Sequence, residues 1–186
     1  MQGGARVKTT SLPIFLSLAM LLSATQASAQ QSSCVLTISG VPGESTAVPN
    51  GIDLFAFSWG LQNTPRTGEG GGAISRPQFN EFSITKRLDK SSPLLMLGSA
   101  QGTHYANATI SCRKVSADRA QEYLRYTLSD VLVASYQSSA SNEVPTDSIS
   151  FNFSRVEFTY RPQNPDGSLG PPVTVCFDVR IGRSCT

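Results

Sequence analysis

Two long stretches of this chain alternate apolar and polar residues with a period of two and then change phase partway along. In the run from Tyr123 to Tyr136, Leu124, Tyr126 and Leu128 share one face, after which Val131 and Val133 continue on the opposite phase. In the second run, Ile149, Phe151 and Phe153 give way to Val156, Phe158 and Tyr160. Such alternation marks half-buried strands. A phase change inside one run calls for a bulge or bend, which the residues place near Asp130 and near Arg155. Long antiparallel strands that bend midway fit a barrel or two packed sheets.

The remaining elements are shorter. Cys34, Leu36 and Ile38 lie on one face of a strand that stops at Gly40-Val41-Pro42-Gly43. From Ile52 to Trp59 both faces carry apolar residues, Phe55, Phe57 and Trp59 against Ile52, Leu54 and Ala56, which predicts a central strand covered on both sides. Phe82 and Ile84 alternate with Ser83 and Thr85; Ala106, Ala108, Ile110 and Cys112 form another apolar face; Val173, Val175, Phe177 and Val179 make the last strand. Gly60 to Pro77, with Gly68-Glu69-Gly70-Gly71-Gly72 inside it, is too polar and too rich in glycine and proline to build core and reads as a long surface loop. Ser92 as cap, Pro93 at the first position, the apolar Leu94 to Leu97 and Gly102 as stop predict a helix over about residues 92–101. The expected fold is mainly β: an antiparallel barrel or two-sheet sandwich with one short flanking α-helix.

At the N-terminus Arg6 and Lys8 precede the apolar run Leu12 to Leu22 and the small-residue triplet Ala27-Ser28-Ala29, the layout of a secretory signal peptide. Cleavage is expected after Ala29, leaving residues 30–186 as one secreted domain with no membrane anchor. The leader takes Arg6 and Lys8 from the 15 cations, so 13 remain against 13 carboxylates. A neutral chain with interspersed charges has no footprint for nucleic acid. All four cysteines, Cys34, Cys112, Cys176 and Cys185, fall after the leader, and an even count in an exported chain favours disulfides. Zinc would want close cysteine pairs and histidine help, whereas His104 is the only histidine. Three pairings are open. Cys34 and Cys112 sit on the apolar faces of their strands, while Cys176 lies on a polar face near the tail that carries Cys185, so the faces favour Cys34 with Cys112 and Cys176 with Cys185.

No catalytic constellation emerges. Gly43-Glu44-Ser45-Thr46-Ala47 lacks the second glycine of a nucleophile elbow. His104 has no acid partner nearby in sequence. Glycines 68 and 70 to 72 are followed by no lysine and serine or threonine that would make a phosphate loop. The residues call for no cofactor or metal.

Six ordered blocks carry a resemblance: Ile38-Ser39-Gly40-Val41-Pro42-Gly43-Glu44-Ser45-Thr46; Phe57-Ser58-Trp59-Gly60; Thr85-Lys86-Arg87-Leu88-Asp89-Lys90-Ser91-Ser92-Pro93-Leu94-Leu95; Gly102-Thr103-His104; Tyr126-Thr127-Leu128-Ser129-Asp130-Val131 with Ser135-Tyr136; and Ile149-Ser150-Phe151 through Tyr160-Arg161-Pro162-Gln163. In order and spacing they resemble the haemolysin-coregulated protein (Hcp) family, the tube subunits of type VI secretion systems. The resemblance implies a barrel of two antiparallel sheets with a flanking helix, a non-enzymatic subunit, and a homo-hexameric ring that stacks into a tube and partners secretion-system components or effector cargo. It also implies that the loop from Gly60 to Pro77, represented by Gly60, Arg66, Gly70 and Arg76, contributes to contacts between rings. The leader and the four cysteines depart from the family pattern and support a second reading, an exported Hcp-like binding or adhesion module outside a secretion tube.

Overall fold

The computed structural model describes residue 3 and residues 32–63, 65–66, 73–74, 77–116, 119–141 and 144–185. The leader features Arg6, Lys8, Leu12 to Leu22 and Ala27-Ser28-Ala29 lie outside these, as do Gly68 to Gly72. The chain runs through β1 (Ser32–Ile38), β2 (Ile52–Ser58), β3 (Leu61–Gln62), β4 (Pro65–Arg66), β5 (Ala73–Ile74), β6 (Gln78–Phe79) and β7 (Phe82–Arg87). After the helix α1 (Ser92–Gln101) come β8 (His104–Ser116), β9 (Arg119–Ser139), β10 (Thr146–Asn152), β11 (Arg155–Tyr160), β12 (Val173–Asp178) and β13 (Arg183–Ser184).

Six strands close on themselves in the order β10-β7-β2-β1-β8-β9, with β9 pairing back to β10, and every pairing is antiparallel. Closure removes the free edges a six-stranded sheet would otherwise present. Beyond β9 the sheet continues outward through β11, β12 and β13.

The hinge between barrel and outer sheet is in β9. Its first half pairs with β11, from Leu124 opposite Tyr160 to Ser129 opposite Arg155; its second half pairs with β10, from Leu132 opposite Asn152 to Ser139 opposite Thr146. Asp130 lies between the halves with φ 54, a left-handed conformation that non-glycine residues seldom adopt. That one residue moves the inward phase from Leu128 to Val131, both fully buried. The second phase change is a break in the strand: Phe153 and Ser154 separate β10 from β11, and Ser154 N donates to Ser129 O at 3.0 Å.

The barrel core is Leu36, Ile52, Phe82, Ile110, Leu128, Ile149 and Phe151, all excluded from solvent. At the mouth facing the outer sheet, Phe57, Trp59, Phe82, Tyr126 and Phe153 form an aromatic cluster, with Phe82 and Tyr126 centroids 5.4 Å apart and Trp59 and Tyr126 5.8 Å apart. Their T-shaped geometry sets ring edges against ring faces.

α1 is the only helix among the described residues, and it rests on β9. Its contact face is Ser92, Leu95 and Gly98, spaced three apart. Gly98 is dictated by proximity: a Cβ there would stand 2.0 Å from Tyr105 Oη. Gly102 ends the helix in the left-handed conformation, φ 62, as its lack of a Cβ allows. Ser92, expected as the cap, is inside the helix with its hydroxyl engaged by Lys86 and Asp147; Ser91 takes the cap position without a side-chain cap bond, its own hydroxyl donating to Asp89 Oδ1.

Two further expectations are corrected. Gly60 to Pro77 is no structureless loop: β3 pairs with β6 and β4 with β5, and Gln62 Nε2 donates to Gln78 Oε1 at 3.3 Å. Among the described residues it is an arm carrying two short ladders. β2 is central in the sheet, between β1 and β7, yet one face is left uncovered, and Phe55 is 57% exposed.

Candidate functional site

Lys86 anchors the junction of helix and barrel. Phe82, Ile84 and Lys86 point inward from β7, so the strand's period of two carries a lysine into the interior. Its Nζ donates to Ser92 Oγ at 2.7 Å, to Asp89 Oδ1 at 2.8 Å and to Arg87 O at 2.9 Å, and Asp147 Oδ2 lies 3.1 Å away. Ser92 Oγ also accepts from Asp89 N and donates to Asp147 Oδ2, while Tyr136 Oη donates to Asp147 Oδ1 at 2.9 Å. One ammonium and two carboxylates are thereby bound together, as buried charges require.

Burial pushes the Asp147 carboxyl up, but bonds from Ser92, Lys86, Ser138 and Tyr136 outweigh it and hold the group below the ordinary carboxylate value. Asp89 is likewise held low: burial raises it, and the bond from Lys86 followed by that from Ser91 lowers it further than burial lifts it. Burial, reinforced by the bond to Asp147, raises the Tyr136 phenol. The cluster thus positions α1 and the Arg87–Lys90 segment, with Asp89 alone of its charged groups reaching a surface pocket.

What this scaffold presents outward is apolar. Phe55, Leu54 and Leu88 line a pocket of about 310 Å³ with Glu44, Asp53 and Arg87, and the Arg87 guanidinium lies 5.4 Å from the Phe55 ring centre. A few residues on, α1 exposes Leu94, Met96 and Leu97, each at least 40% accessible. Scattered exposed apolar residues are ordinary; several grouped along one rigid element mark a contact surface.

A second surface is a groove of about 570 Å³ between the arm and the outer sheet. Trp59, Leu61 and Phe79 form one wall, Phe158, Val175 and Phe177 the other, and Phe79 bridges them, 5.1 Å from Phe177. Of the four arm residues singled out from the sequence, Gly60 accepts a bond at its carbonyl from Asn80 N at 3.0 Å, and Arg66 pairs with Ala73 in the β4–β5 ladder. Gly70 and Arg76 lie outside the described residues.

His104, which has no acid beside it in sequence, has one in space: Nδ1 donates to Asp130 Oδ1 at 2.7 Å. Ser154 Oγ donates to the other oxygen, Oδ2, at 2.6 Å. These bonds, the serine's first and the imidazole's second, hold the Asp130 carboxyl below its ordinary value. Serine and histidine both end on the carboxylate, so the histidine is not aimed at the serine. The trio pins the bend of β9 instead of activating a nucleophile.

The disulfides join Cys34 to Cys112 and Cys176 to Cys185. The first links directly opposed residues of β1 and β8, with Cys112 fully buried. The second, nine residues apart, ties the C-terminal segment to β12, with both cysteines half-buried.

A closed six-stranded antiparallel barrel with an outer sheet and one flanking helix defines a mainly β protein of the antiparallel barrel class. The family described as "Type VI secretion system effector, Hcp" matches residues 35–160, and the chain belongs to this Hcp family. The chain is similar to "Protein hcp1" of Pseudomonas aeruginosa, 37% identical over 103 residues, which are 54% of this chain and 64% of that protein, just under two thirds of its length. Among solved structures, the crystal structure of Hcp1 from Salmonella typhimurium shares the fold with a TM-score of 0.70 at 24% identity, covering 83% of this chain and 99% of that one. A structure of a type six secretion system protein does so with a TM-score of 0.75 at 21% identity, covering 83% and 100%.

Proposed function

We propose that this chain is a non-enzymatic, ring-forming subunit of a type VI secretion system, or a secreted effector of that kind, assembling with copies of itself into a hexamer. The observation that carries the reading is the uncovered apolar surface at Phe55, Leu88, Leu94, Met96 and Leu97, held in place by the buried cluster around Lys86. A contact between unlike patches of identical subunits closes into a ring when the rotation per subunit divides a full turn. Family membership supports the choice of ring over an open chain. On this reading the arm from Gly60 to Pro77 contributes to contacts between stacked rings, and the ring's partners are secretion-system components or effector cargo.

Residues 1–29 act in this proposal as a cleaved signal peptide and residues 30–186 as a single exported domain. The four paired cysteines support passage through an oxidising compartment.

The test is light scattering coupled to size exclusion on protein recovered from an oxidising compartment. A mass six times the protomer's is expected, and Leu97→Lys with Phe55→Lys should shift it to the protomer mass while the circular dichroism stays unchanged. A monomer in the unsubstituted protein sinks the ring and favours the exported binding or adhesion module.

A further inference from the structure

The two disulfides hold down very different amounts of structure. β1 and β8 share seven directly opposed residue pairs around Cys34 and Cys112, so the strands stay paired whether or not the sulfur atoms are joined. β13 meets β12 at only two positions, Phe177 opposite Ser184 and Asp178 opposite Arg183. Val179 is held independently, its N donating to Ser154 O at 2.8 Å and its side chain packed against the core. Beyond it the segment 180–185 adds Gly182 N to Asp178 O at 2.9 Å, Cys185 N to Cys176 O at 3.1 Å, and the Asp178 carboxylate accepting from Arg180 N and Ile181 N. A ladder of two pairs returns less than it costs to order six residues of backbone. The covalent link is what keeps this strand in place.

Its position matters. Cys176 and Ser184 line the apolar groove, beside Val175 and Phe177. Cys176 O and Asp178 O both point toward the C-terminal segment, so by the alternation of an antiparallel strand Thr174 directs its backbone groups to the same side. With β13 removed, the outer edge of β12 would stand open next to exposed Val173 and Val175.

We propose that Cys176–Cys185 is a redox-operated latch, closed in an oxidising compartment, which on reduction releases residues 180–185 and uncovers both the edge of β12 and one rim of the groove. The reductant is a dithiol. One of its thiolates attacks Sγ of Cys185, the Sγ–Sγ bond breaks, and Cys176 leaves as a thiolate that takes up a proton. The second dithiol sulfur then displaces Cys185, so the protein gains two electrons and two protons and the reductant closes to its own disulfide.

The experiment titrates the oxidised protein with dithiothreitol, maps free thiols by alkylation and follows backbone hydrogen exchange. Cys176–Cys185 should open at a reductant concentration that leaves the Cys34–Cys112 bond, whose Cys112 is fully buried, intact. Exchange at residues 180–185 and at Cys176 should then rise at least about tenfold, while β1 and β8 stay protected. The pair of substitutions Cys176→Ser and Cys185→Ser should give the same fast exchange without reductant and no response to it. Protection of residues 180–185 that survives reduction overturns the latch, as does reduction of both disulfides in one step. A doubly substituted protein that fails to fold overturns it too, because removing a latch must leave the barrel standing.

Discussion

Lys86 on β7 and Asp147 on β10 stand directly opposite each other in the barrel wall, 3.1 Å apart at Nζ and Oδ2, with neither side chain reached by solvent. Each occupies the inward phase of its strand, behind Phe82 and Ile84 in one case and ahead of Ile149 and Phe151 in the other. Removing one partner strands the other charge in the interior. Lys86→Met and Asp147→Ala should each cost about 3–5 kcal/mol, and the double substitution less than the sum, because a buried pair replaced by apolar groups leaves nothing uncompensated. Urea midpoints of the four proteins in the cycle measure this.

The same cluster sets an acid limb to the stability curve. Asp147 and Asp89 have folded-state pKa values below the unbound 3.8. The folded protein therefore holds fewer protons than the unfolded chain in the window between the two values. The stabilisation is fully present above the unfolded value and is lost as pH falls from about 4 through the depressed folded values. Urea midpoints between pH 7 and pH 2 should drop over that window, and the drop should be shallower in Asp147→Asn. An equal drop in that variant would assign the acid limb to other carboxylates.

Gly98 and Tyr105 offer a steric test. Helix propensity alone would make Gly98→Ala favourable by about 1 kcal/mol. The added methyl would meet Tyr105 Oη at 2.0 Å and Cζ at 3.1 Å, and overpacking of that kind costs about 1–3 kcal/mol. The steric cost should win, giving a lower melting temperature. Tyr105→Phe in the same protein should recover most of the loss but not all, since Cζ stays close.

The disulfides should differ in thermodynamic weight as they do in exposure. Cys34–Cys112 closes a loop of 78 residues and Cys176–Cys185 one of nine. Loop-closure entropy in the unfolded chain makes the first worth about 4.5 kcal/mol and the second about 2.5 kcal/mol. Cys34→Ala with Cys112→Ala should therefore lower the urea midpoint more than Cys176→Ser with Cys185→Ser.

Much of the barrel is legible in the sequence because β periodicity is a local signal. Leu124 to Val133 announces both the strand and its break, and Asp130 sits at the break with positive φ because its carboxylate is held by His104 and Ser154. Lys86 and Asp147 were legible in principle: each is a charged residue in phase with an apolar face, and the charges are opposite. Their meeting depends on the β7–β10 register, which periodicity does not give. Ser92 misled as a cap because a hydroxyl before a proline looks the same whether it bonds the helix or a distant carboxylate. The arm missed its ladders because strands of two residues are too short to show a period. The exposed face of Phe55 is not legible because an apolar residue on the surface looks identical, in sequence, to one that faces the core.

β9 belongs to the barrel and the outer sheet at once, a single uninterrupted backbone of 21 residues with β8 paired to it from Arg119 to Leu132. No cut through the molecule parts the two sheets without severing that strand. A force applied at the outer sheet and resisted at the barrel is carried along β9 and loads the β8–β9 ladder in shear, where many bonds must yield together instead of opening one by one. The chain is in that sense built like a beam with a continuous flange: pulled from its outer edge, it should stretch and fail as one body.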